Sequence, residues 1–429
     1  MNDVVIVGGG LAGLAAAAWC GRAGLRVTVL ERASRPGGRA RTDREAGHAF
    51  NQGGHALYRG GAAARALADL GVPFAGGPPP LRGSLAISEG AVHRLPSGLV
   101  SILSTDLFGF GAKIEAARAL TAIARENPGP PRDVTWRAWV DGFVKRPEVR
   151  HVLDAFARLS TYANAPGRAS AGATIAQIRL SLEHGVLYLH GGWQTLVDGL
   201  ERAARAAGAE VLTGRQVASV RRDGRSLVVS TEPGEPLRSR SVIVCAGPTT
   251  ARTLLGVDSL GGTLALRAAC LDVGLSELPR PDHLFALGID RPTYFSVHSA
   301  SARLADAGAT LHVMKYLDPS EPHDAAADER ELEEMLDRLQ PGWRDRVTAR
   351  RFLPGVVTTH ALVEAAAHRP GVDSCSTEGV FVAGDWVGDE GMLADAALAS
   401  ARVASRMAIA HVAGVRERRM PREDTLVVA

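Results

Sequence analysis

The fold is decided near the start of the chain, where residues 4–13 read VVIVGGGLAG. The β-branched run Val4–Val7 predicts a short buried strand, and the alanine-rich run Leu11–Ala23 predicts the helix that follows it. A second β-branched run, Arg26–Leu30, predicts the next strand. Together these patterns predict a β-α-β unit, which is the building block of α/β folds with a parallel sheet.

The glycines between the first strand and the helix form the pattern Gly-x-Gly-x-x-Gly, which is typical of a dinucleotide-binding turn. Gly8 permits the tight turn, Gly10 lets a pyrophosphate approach the backbone, and Gly13 lets the helix pack closely on the strand. Glu31 ends the next strand, where its carboxylate can accept hydrogen bonds from ribose hydroxyls. The motif alone leaves NAD and FAD open, and its predicted contacts are Gly8, Gly10, Leu11, Ala12, Gly13, Glu31 and Arg32.

The composition argues against several other classes of protein. The chain has 429 residues, of which 46% are hydrophobic, so it is long enough for two domains or for one with a large insertion. The net charge is +3 without a long basic run, so we predict no nucleic-acid partner. The four cysteines are widely spaced, which predicts neither a disulfide framework nor a metal site. Because the sequence shows no cleavable leader and no long apolar window, we predict a cytoplasmic protein.

Two further motifs lie far apart in the chain. Residues 35–39 read RPGGR and closely follow Glu31, and residues 379–386 read GVFVAGDW, a strand pattern that ends in Gly-Asp. Together with the first glycine motif, they resemble the FAD-dependent superfamily of amine oxidases, phytoene desaturases and protoporphyrinogen oxidases. The resemblance covers both ends of the chain and its middle, and it implies that the cofactor is FAD.

The resemblance also implies roles for individual residues. Gly37 and Gly38 would pack beside the pyrophosphate and the flavin, and Arg39 would supply positive charge near the phosphates. Gly384 and Asp385 would bring an acidic group to the ribityl chain. The other implied contacts are Gly391, Met392 and Leu393, whose amides would face the flavin at a helix start, Val217 beside adenine, Ala246 in a turn over the dinucleotide, and Gly53 and Gly54 beneath the isoalloxazine ring.

Three residues are candidates for the substrate pocket. His55 follows the two glycines beneath the ring, and it is either a polar group that faces the flavin or a structural histidine. Tyr294 and His298 belong to the strand pattern that begins at Thr293, which is either pocket wall or plain core. We predict a mechanism without a dedicated acid–base pair, in which the cofactor accepts a hydride and the protein orients the substrate.

Departures from the family pattern bear on the chemistry. Several relatives hold the flavin covalently through a cysteine near the C-terminal motif, but Cys375 lies outside that position, so we predict non-covalent FAD. Amine oxidases of the family often place a lysine near flavin N5, but the corresponding strand, Leu264–Cys270, contains none. Lys315 lies on a later strand, where we predict a solvent-exposed position. Asp395 and Ser400 stand where relatives commonly have glycines.

The order of the motifs predicts an α/β fold with a discontinuous cofactor domain. A Rossmann-like FAD-binding domain would be assembled from residues 1–60, 186–258 and 375–429. A mixed α+β substrate domain would be assembled from residues 61–185 and 259–374, of which the first segment is predicted to be mostly helical.

Three functions remain open from the sequence. The first is a phytoene-desaturase-like dehydrogenation of a C–C bond in a small, largely apolar substrate. The second is an amine oxidase that makes an imine in secondary metabolism. The third is a non-catalytic carrier of the Rab GDP-dissociation-inhibitor type, against which the intact Glu31, Arg39 and Asp385 argue. The missing lysine favours the first.

The partners are open in part. We predict a small-molecule substrate, and we leave the electron acceptor and the oligomeric state undecided. The apolar stretch Leu95–Ala124 is an access channel, a peripheral membrane contact or a buried helix.

Overall fold

The computed structural model of the chain describes residues 1–96, 99–125, 131–260 and 262–417. Its strands are β1 (Asn2–Val7), β2 (Val27–Leu30), β3 (Thr42–Glu45), β4 (His48–Asn51), β5 (Leu57–Tyr58), β6 (Gly76–Gly77), β7 (Leu85–Ser88), β8 (Ala91–Arg94), β9 (Val186–Leu189), β10 (Glu210–Leu212), β11 (Gln216–Asp223), β12 (Ser226–Glu232), β13 (Leu237–Val244), β14 (Leu266–Leu275), β15 (Phe285–Gly288), β16 (Thr293–Ser296), β17 (Ala309–Tyr316), β18 (Val347–Thr359) and β19 (Val380–Val382). Its helices are α1 (Leu11–Arg22), α2 (Ala62–Asp69), α3 (Leu99–Ser104), α4 (Phe110–Arg125), α5 (Trp136–Asp141), α6 (Pro147–Thr161), α7 (Ala171–His184), α8 (Gln194–Ala206), α9 (Pro248–Leu255), α10 (Ala325–Leu339) and α11 (Leu393–Glu417).

The first large sheet has the strand order β10–β2–β1–β13–β12–β11, with β19 paired to β13. The strands β10, β2, β1, β13 and β19 are parallel, whereas β11, β12 and β13 form an antiparallel meander. Helices α1, α8 and α11 pack together and share one apolar core with this sheet. The opening β-α-β unit therefore belongs to a Rossmann-like half, as predicted.

The second large sheet has the strand order β18–β14–β17–β16–β15–β7–β8. Its strands are antiparallel except for the β15–β7 pair. One apolar core lies between this sheet and helices α4 to α7, and another lies between the sheet and α10. The fold is thus a mixed α/β architecture in which a Rossmann-like sheet and a largely antiparallel sheet each have their own core.

Two parts of the second sheet differ from the sequence prediction. Residues 85–94 form the β7–β8 hairpin inside the segment predicted to be mostly helical. The long strand β18 was not predicted, because Pro354 and Gly355 interrupt its pattern and charged arginines precede them. A register shift between Ala268 and Cys270 of β14 accommodates this interruption, so the strand continues through it.

The division into two domains stays a prediction. The first large sheet takes its strands from residues 2–30, 210–244 and 380–382, and the second takes its strands from residues 85–94 and 266–359. A small sheet, β5–β9–β6, joins segments that the prediction had assigned to different domains. Residues 418–429 of the predicted cofactor domain lie outside the described residues.

Three further findings concern the described residues. None of their helices is both long and apolar enough to cross a lipid bilayer. Within the same residues, no cluster of three or more histidine, cysteine or acidic side chains could hold a metal ion. All four cysteines are free thiols.

Candidate cofactor and substrate site

The predicted cofactor motifs meet at one edge of the first sheet. The parallel strands β2, β1, β13 and β19 are neighbours, and their last residues pair with one another. The segment Gly8–Gly13 follows β1, Glu31 follows β2, Ala246 follows β13, and Asp385 follows β19. Since ligands of open α/β sheets bind outside the carboxyl ends of the strands, this edge is the expected dinucleotide site.

The glycines of the first motif are required by close contacts. Gly8 has a φ of +106°, which favours glycine, and a Cβ on Gly13 would lie 1.9 Å from the carbonyl oxygen of Gly8. Gly10 caps α1 without a side-chain hydrogen bond, so the first amides of the helix are left for a ligand. The N–H of Gly37 donates to the carbonyl of Gly9 over 2.9 Å, which joins the two glycine motifs.

Glu31 is buried against the glycine turn. Its Oε2 accepts the N–H of Gly9 at 2.7 Å, and its Oε1 accepts the N–H of Ala33 at 2.8 Å. A carboxylate oxygen has room for a second donor, so each oxygen can still accept a ribose hydroxyl. The adjacent Arg32 is exposed.

Arg39 and Asp385 form a bidentate pair that joins the second and third motifs. Nη1 and Nη2 of Arg39 donate to the two carboxylate oxygens of Asp385 at 2.7 and 2.8 Å. The carboxylate is buried and also accepts the backbone N–H of His360 at 2.9 Å. Burial would raise the pKa of Asp385, but the charge of Arg39 and the bonds from His360 hold that pKa well below its usual range. His360 was not among the residues that the sequence predicted.

The segment before α11 has an unusual backbone. Gly391 and Leu393 have φ values of +67° and +56°, and the left-handed region is uncommon for a leucine. Arg369 holds this turn, because its guanidinium donates to the carbonyl oxygens of Gly391 at 2.8 Å and of Asp385 at 3.1 Å. Met392 is buried. The helix start that the resemblance places at the flavin is therefore fixed by the same arginine as the turn after β19.

The two residues that replace family glycines both make contacts. Oδ1 of Asp395 accepts the N–H of Ala63 at 2.7 Å at the start of α2. Burial raises the pKa of Asp395 to about 6. The hydroxyl of Ser400 accepts the N–H of Gly384 at 3.0 Å, which ties α11 to the turn after β19. These departures therefore add hydrogen bonds around the site.

Gly53 and Gly54 lie against the second sheet. A Cβ on Gly53 would be 2.9 Å from Sγ of Cys270, and a Cβ on Gly54 would be 2.6 Å from Sδ of Met314. The phenol of Tyr162 donates to the carbonyl of Gly54 at 2.8 Å. Gly53 has a φ of +84°, which favours glycine, and the close approach places this segment directly against the second sheet.

His55 is half-buried beside these glycines. Its Nδ1 lies 3.0 Å from the carbonyl oxygen of Gly53, and its ring packs edge-on against Trp193 at 5.0 Å between centroids. Burial lowers the pKa of His55 to about 4, so the imidazole is neutral at neutral pH. Its role toward the flavin stays a prediction.

Tyr294 and His298 lie inside a hydrogen-bonded cluster of the second sheet. The hydroxyl of Tyr294 is 3.0 Å from Nε2 of His298 and 2.8 Å from the hydroxyl of Tyr188. The rings of His298 and Tyr188 stack with their centroids 3.7 Å apart. The imidazole of His312 packs edge-on against that of His298. Both predicted residues are buried, and each has partners within the protein. Their contact with a substrate stays a prediction.

Two other predicted contacts lie along the first sheet. Val217 is buried on β11, next to a register shift in its pairing with β12. The carbonyl of Ala246 accepts the indole N–H of Trp386 at 2.9 Å, so the turn after β13 is joined to the turn after β19.

The prediction that Lys315 is solvent-exposed is wrong. Its Nζ lies 2.8 Å from Asp328 and 2.7 Å from Glu331, and only 24% of its side chain is exposed. The acidic residues belong to α10, which packs against β17 and covers the lysine. Spacing along the strand could not reveal this helix-to-sheet contact.

The model of the flavin-containing amine oxidoreductase family matches residues 11–271. The chain belongs to this family. Its cofactor is FAD, and the residues at the sheet edge fit that group, because the first amides of α1 have no side-chain cap and Glu31 offers acceptors for a ribose. The carrier hypothesis is not retained.

Individual relatives of this flavoprotein differ in activity. It is 28% identical over 270 residues to a probable flavin-containing monoamine oxidase A of Dictyostelium discoideum, and the match covers 58% of each chain. It is 27% identical over 425 residues to a phytoene dehydrogenase of Streptomyces griseus, with 83% of this chain and 80% of that one covered. The crystal structure of an oxidoreductase from Methanosarcina mazei superposes with a TM-score of 0.74 at 18% identity, covering 94% of this chain and all of the other. At 18% identity, the similarity to the Methanosarcina structure shows the fold alone.

Proposed function

We propose that this oxidoreductase removes a hydride from a small, largely apolar substrate in the dehydrogenation of a C–C bond. The observation that carries the proposal is the position of the lysines. The chain has Lys113, Lys145 and Lys315 only. Lys315 is paired with α10, Nζ of Lys145 donates to the carbonyl of Asp141 at 3.4 Å, and Lys113 lies on α4. None of the three is at the glycine segment that would underlie the flavin.

The surroundings of Gly53 and Gly54 also support an apolar substrate. Their neighbours on the second sheet are the thiol of Cys270 and the thioether of Met314, and Tyr162 lies on the same side. Burial raises the pKa of Tyr162 and Cys270 well above their usual values, so neither is charged at neutral pH. An uncharged wall favours a neutral, apolar group over an ion.

The proposed reaction does not require an ionisable side chain to transfer a proton. When bound, FAD supplies the hydride acceptor, and the protein supplies orientation and exclusion of water. Burial lowers the pKa of His55 to about 4 and the pKa of His298 well below its usual value, so both are neutral. This agrees with a mechanism that has no dedicated acid–base pair.

An amine oxidase that makes an imine is the second candidate. The family name and the Dictyostelium relative support it. The lack of a lysine near the glycine segment is evidence against it.

We further propose that FAD is held without a covalent bond. Cys375 is buried beside Val372 in the core of the first sheet, before β19. Its thiol is thus packed against apolar side chains rather than presented at the sheet edge where the motifs meet.

A peripheral membrane contact through α3 and α4 is also proposed. On α4, Phe110 is 83% exposed and Ile114 is 43% exposed. The side chains of Leu99, Val100 and Leu103 on α3 lie outside the described residues. Sedimentation with lipid vesicles tests the contact, and Phe110→Ser should weaken it; equal sedimentation with and without vesicles would refute it.

The experiment that tests the main proposal is anaerobic mixing of the holoenzyme with a panel of substrates. The panel should pair each apolar alkene or isoprenoid with a primary or secondary amine of similar size. We expect bleaching of the flavin absorption with the first group. Bleaching by amines alone would replace the proposal with the amine-oxidase alternative.

A further inference from the structure

The carboxylate of Asp385 is saturated by donors from the protein. Oδ1 accepts Nη2 of Arg39 and lies 3.1 Å from Nδ1 of His360. Oδ2 accepts Nη1 of Arg39 and the backbone N–H of His360. A carboxylate has about four acceptor positions, so Asp385 has none left for a hydroxyl of the ribityl chain.

His360 bridges two turns of the cofactor edge. Its ring is bonded through Nδ1 to Asp385, which follows β19. On the other side, a Cβ on Gly247 would lie 2.7 Å from Nε2 of His360. Gly247 follows β13 and precedes α9. Since β13 and β19 are parallel neighbours, the imidazole lies across the crevice outside their carboxyl ends.

The bond to Asp385 also sets the hydrogen positions of the imidazole. The pKa of Asp385 is held well below its usual range, so the carboxylate is ionised and Nδ1 donates its hydrogen to it. In the neutral ring, Nε2 is then the acceptor. Among the described residues, no hydrogen bond reaches this atom, and 26% of the His360 side chain is exposed. Nε2 is therefore free to accept a hydroxyl.

We propose that His360, rather than Asp385, makes the direct hydrogen bond to the ribityl chain of FAD. Asp385 acts as a positioning residue, which orients the imidazole and the guanidinium of Arg39. The proposal concerns the cofactor and does not depend on which substrate is oxidised. The competing explanation is that His360 has a structural role only, in which it links the turns after β13 and β19 and makes no contact with FAD.

Two substitutions of His360 separate these explanations. In His360→Asn, the amide N–H takes the place of Nδ1 and keeps the bond to Asp385, but nothing reaches the position of Nε2. In His360→Gln, the longer side chain reaches the position of Nε2, but nothing replaces Nδ1. His151 is an exposed histidine of α6, and the same two changes there are the matched control.

The readout is the dissociation constant of FAD, measured from flavin fluorescence as the holoenzyme is diluted. We expect His360→Asn to raise this constant about tenfold, the effect of one lost hydrogen bond, and His360→Gln to stay within about threefold of wild type. The absorption spectrum of bound flavin should change in His360→Asn only. The proposal requires His360→Gln to bind FAD more tightly than His360→Asn. It is overturned if both variants bind FAD as tightly as wild type, if both bind it weakly, or if His360→Asn binds it more tightly. Melting temperatures of both variants show whether a loss follows from unfolding.

Discussion

At the scale of single residues, Glu31 should be one of the strongest contributors to FAD affinity. Its carboxylate is held by the amides of Gly9 and Ala33, and each oxygen keeps an acceptor position. Glu31→Ala removes a charge-assisted acceptor worth on the order of 1.5–3 kcal/mol, so the dissociation constant of FAD should rise roughly 10- to 100-fold. Flavin fluorescence on dilution of the holoenzyme measures it. Glu31→Gln keeps one acceptor oxygen and should lose less. An unchanged constant in the alanine variant would show that Glu31 does not bind the ribose.

Asp395 should make the stability of the protein depend on pH. Burial raises its pKa to about 6, above the usual value of about 4 for an aspartate, so the folded state favours the protonated form. As pH rises from about 4 to about 6, the folded state loses this advantage, because the buried carboxylate becomes ionised and destabilises the fold. Asp395→Asn keeps an acceptor for Ala63 and cannot ionise. The melting temperature of the variant should therefore rise relative to that of wild type between about pH 4 and about pH 6, and the difference should level off at higher pH. A constant difference over that range would contradict this account.

The sequence could predict residues whose role depends on the local backbone. Gly8, Gly10 and Gly13 were identified because their spacing alone reports a turn between a strand and a helix. His360 was missed because its role depends on Asp385, 25 positions further along the chain. No local pattern marks such a pair, since the two residues meet only after the second sheet has packed against the first.

At the scale of elements, the packing of α1 on β1 depends on Gly13. A Cβ there would lie 1.9 Å from the carbonyl oxygen of Gly8, and a backbone atom cannot move aside cheaply. Gly13→Ala should therefore lower the melting temperature and the FAD content together. Gly414→Ala in α11 is the matched control, because nothing lies within 4 Å of its Cβ position. Similar melting temperatures for the two variants would show that α1 tolerates a methyl group at this point.

Elements with a strong internal period were predictable and interrupted ones were not. The segment predicted to be mostly helical, residues 61–185, contains the long helices α6 (Pro147–Thr161) and α7 (Ala171–His184). Strand β18 was missed because its Pro354-Gly355 interruption is compensated by the partner strand rather than by its own residues. Lys315 was misplaced for a similar reason, since α10 provides both of its acidic partners.

At the scale of the whole molecule, Arg351 connects the second large sheet to the small β3–β4 sheet. It lies on β18 and pairs with the buried Asp272 of β14 at 2.6 Å and with Asp43 of β3 at 3.1 Å. Arg351→Leu would leave Asp272 without its guanidinium partner, which typically costs about 3–5 kcal/mol. Chemical unfolding should show this loss. Arg350→Leu on the same strand breaks surface pairs and should cost about 0–1 kcal/mol. Equal losses would mean that Arg351 has no special role.

The order of the motifs along the chain was enough to predict a discontinuous cofactor site. Segments near residues 8, 245 and 385 follow parallel strands of one sheet, so they meet although they are far apart in sequence. The composition of the predicted substrate domain revealed less about the pocket, because buried strands and pocket walls contain the same types of apolar residue. Tyr294 and His298 show this, since their strand pattern is typical of core as well as of a pocket wall.

The central claim is that this chain carries FAD at the carboxyl edge of its first sheet, without a covalent bond. The most direct test is the visible spectrum of the purified protein, followed by acid precipitation and identification of the released cofactor. The account predicts a yellow protein with oxidised-flavin absorption and FAD in the supernatant. Flavin that stays with the precipitate would contradict the non-covalent site. A colourless protein that FAD cannot reconstitute would contradict the account as a whole.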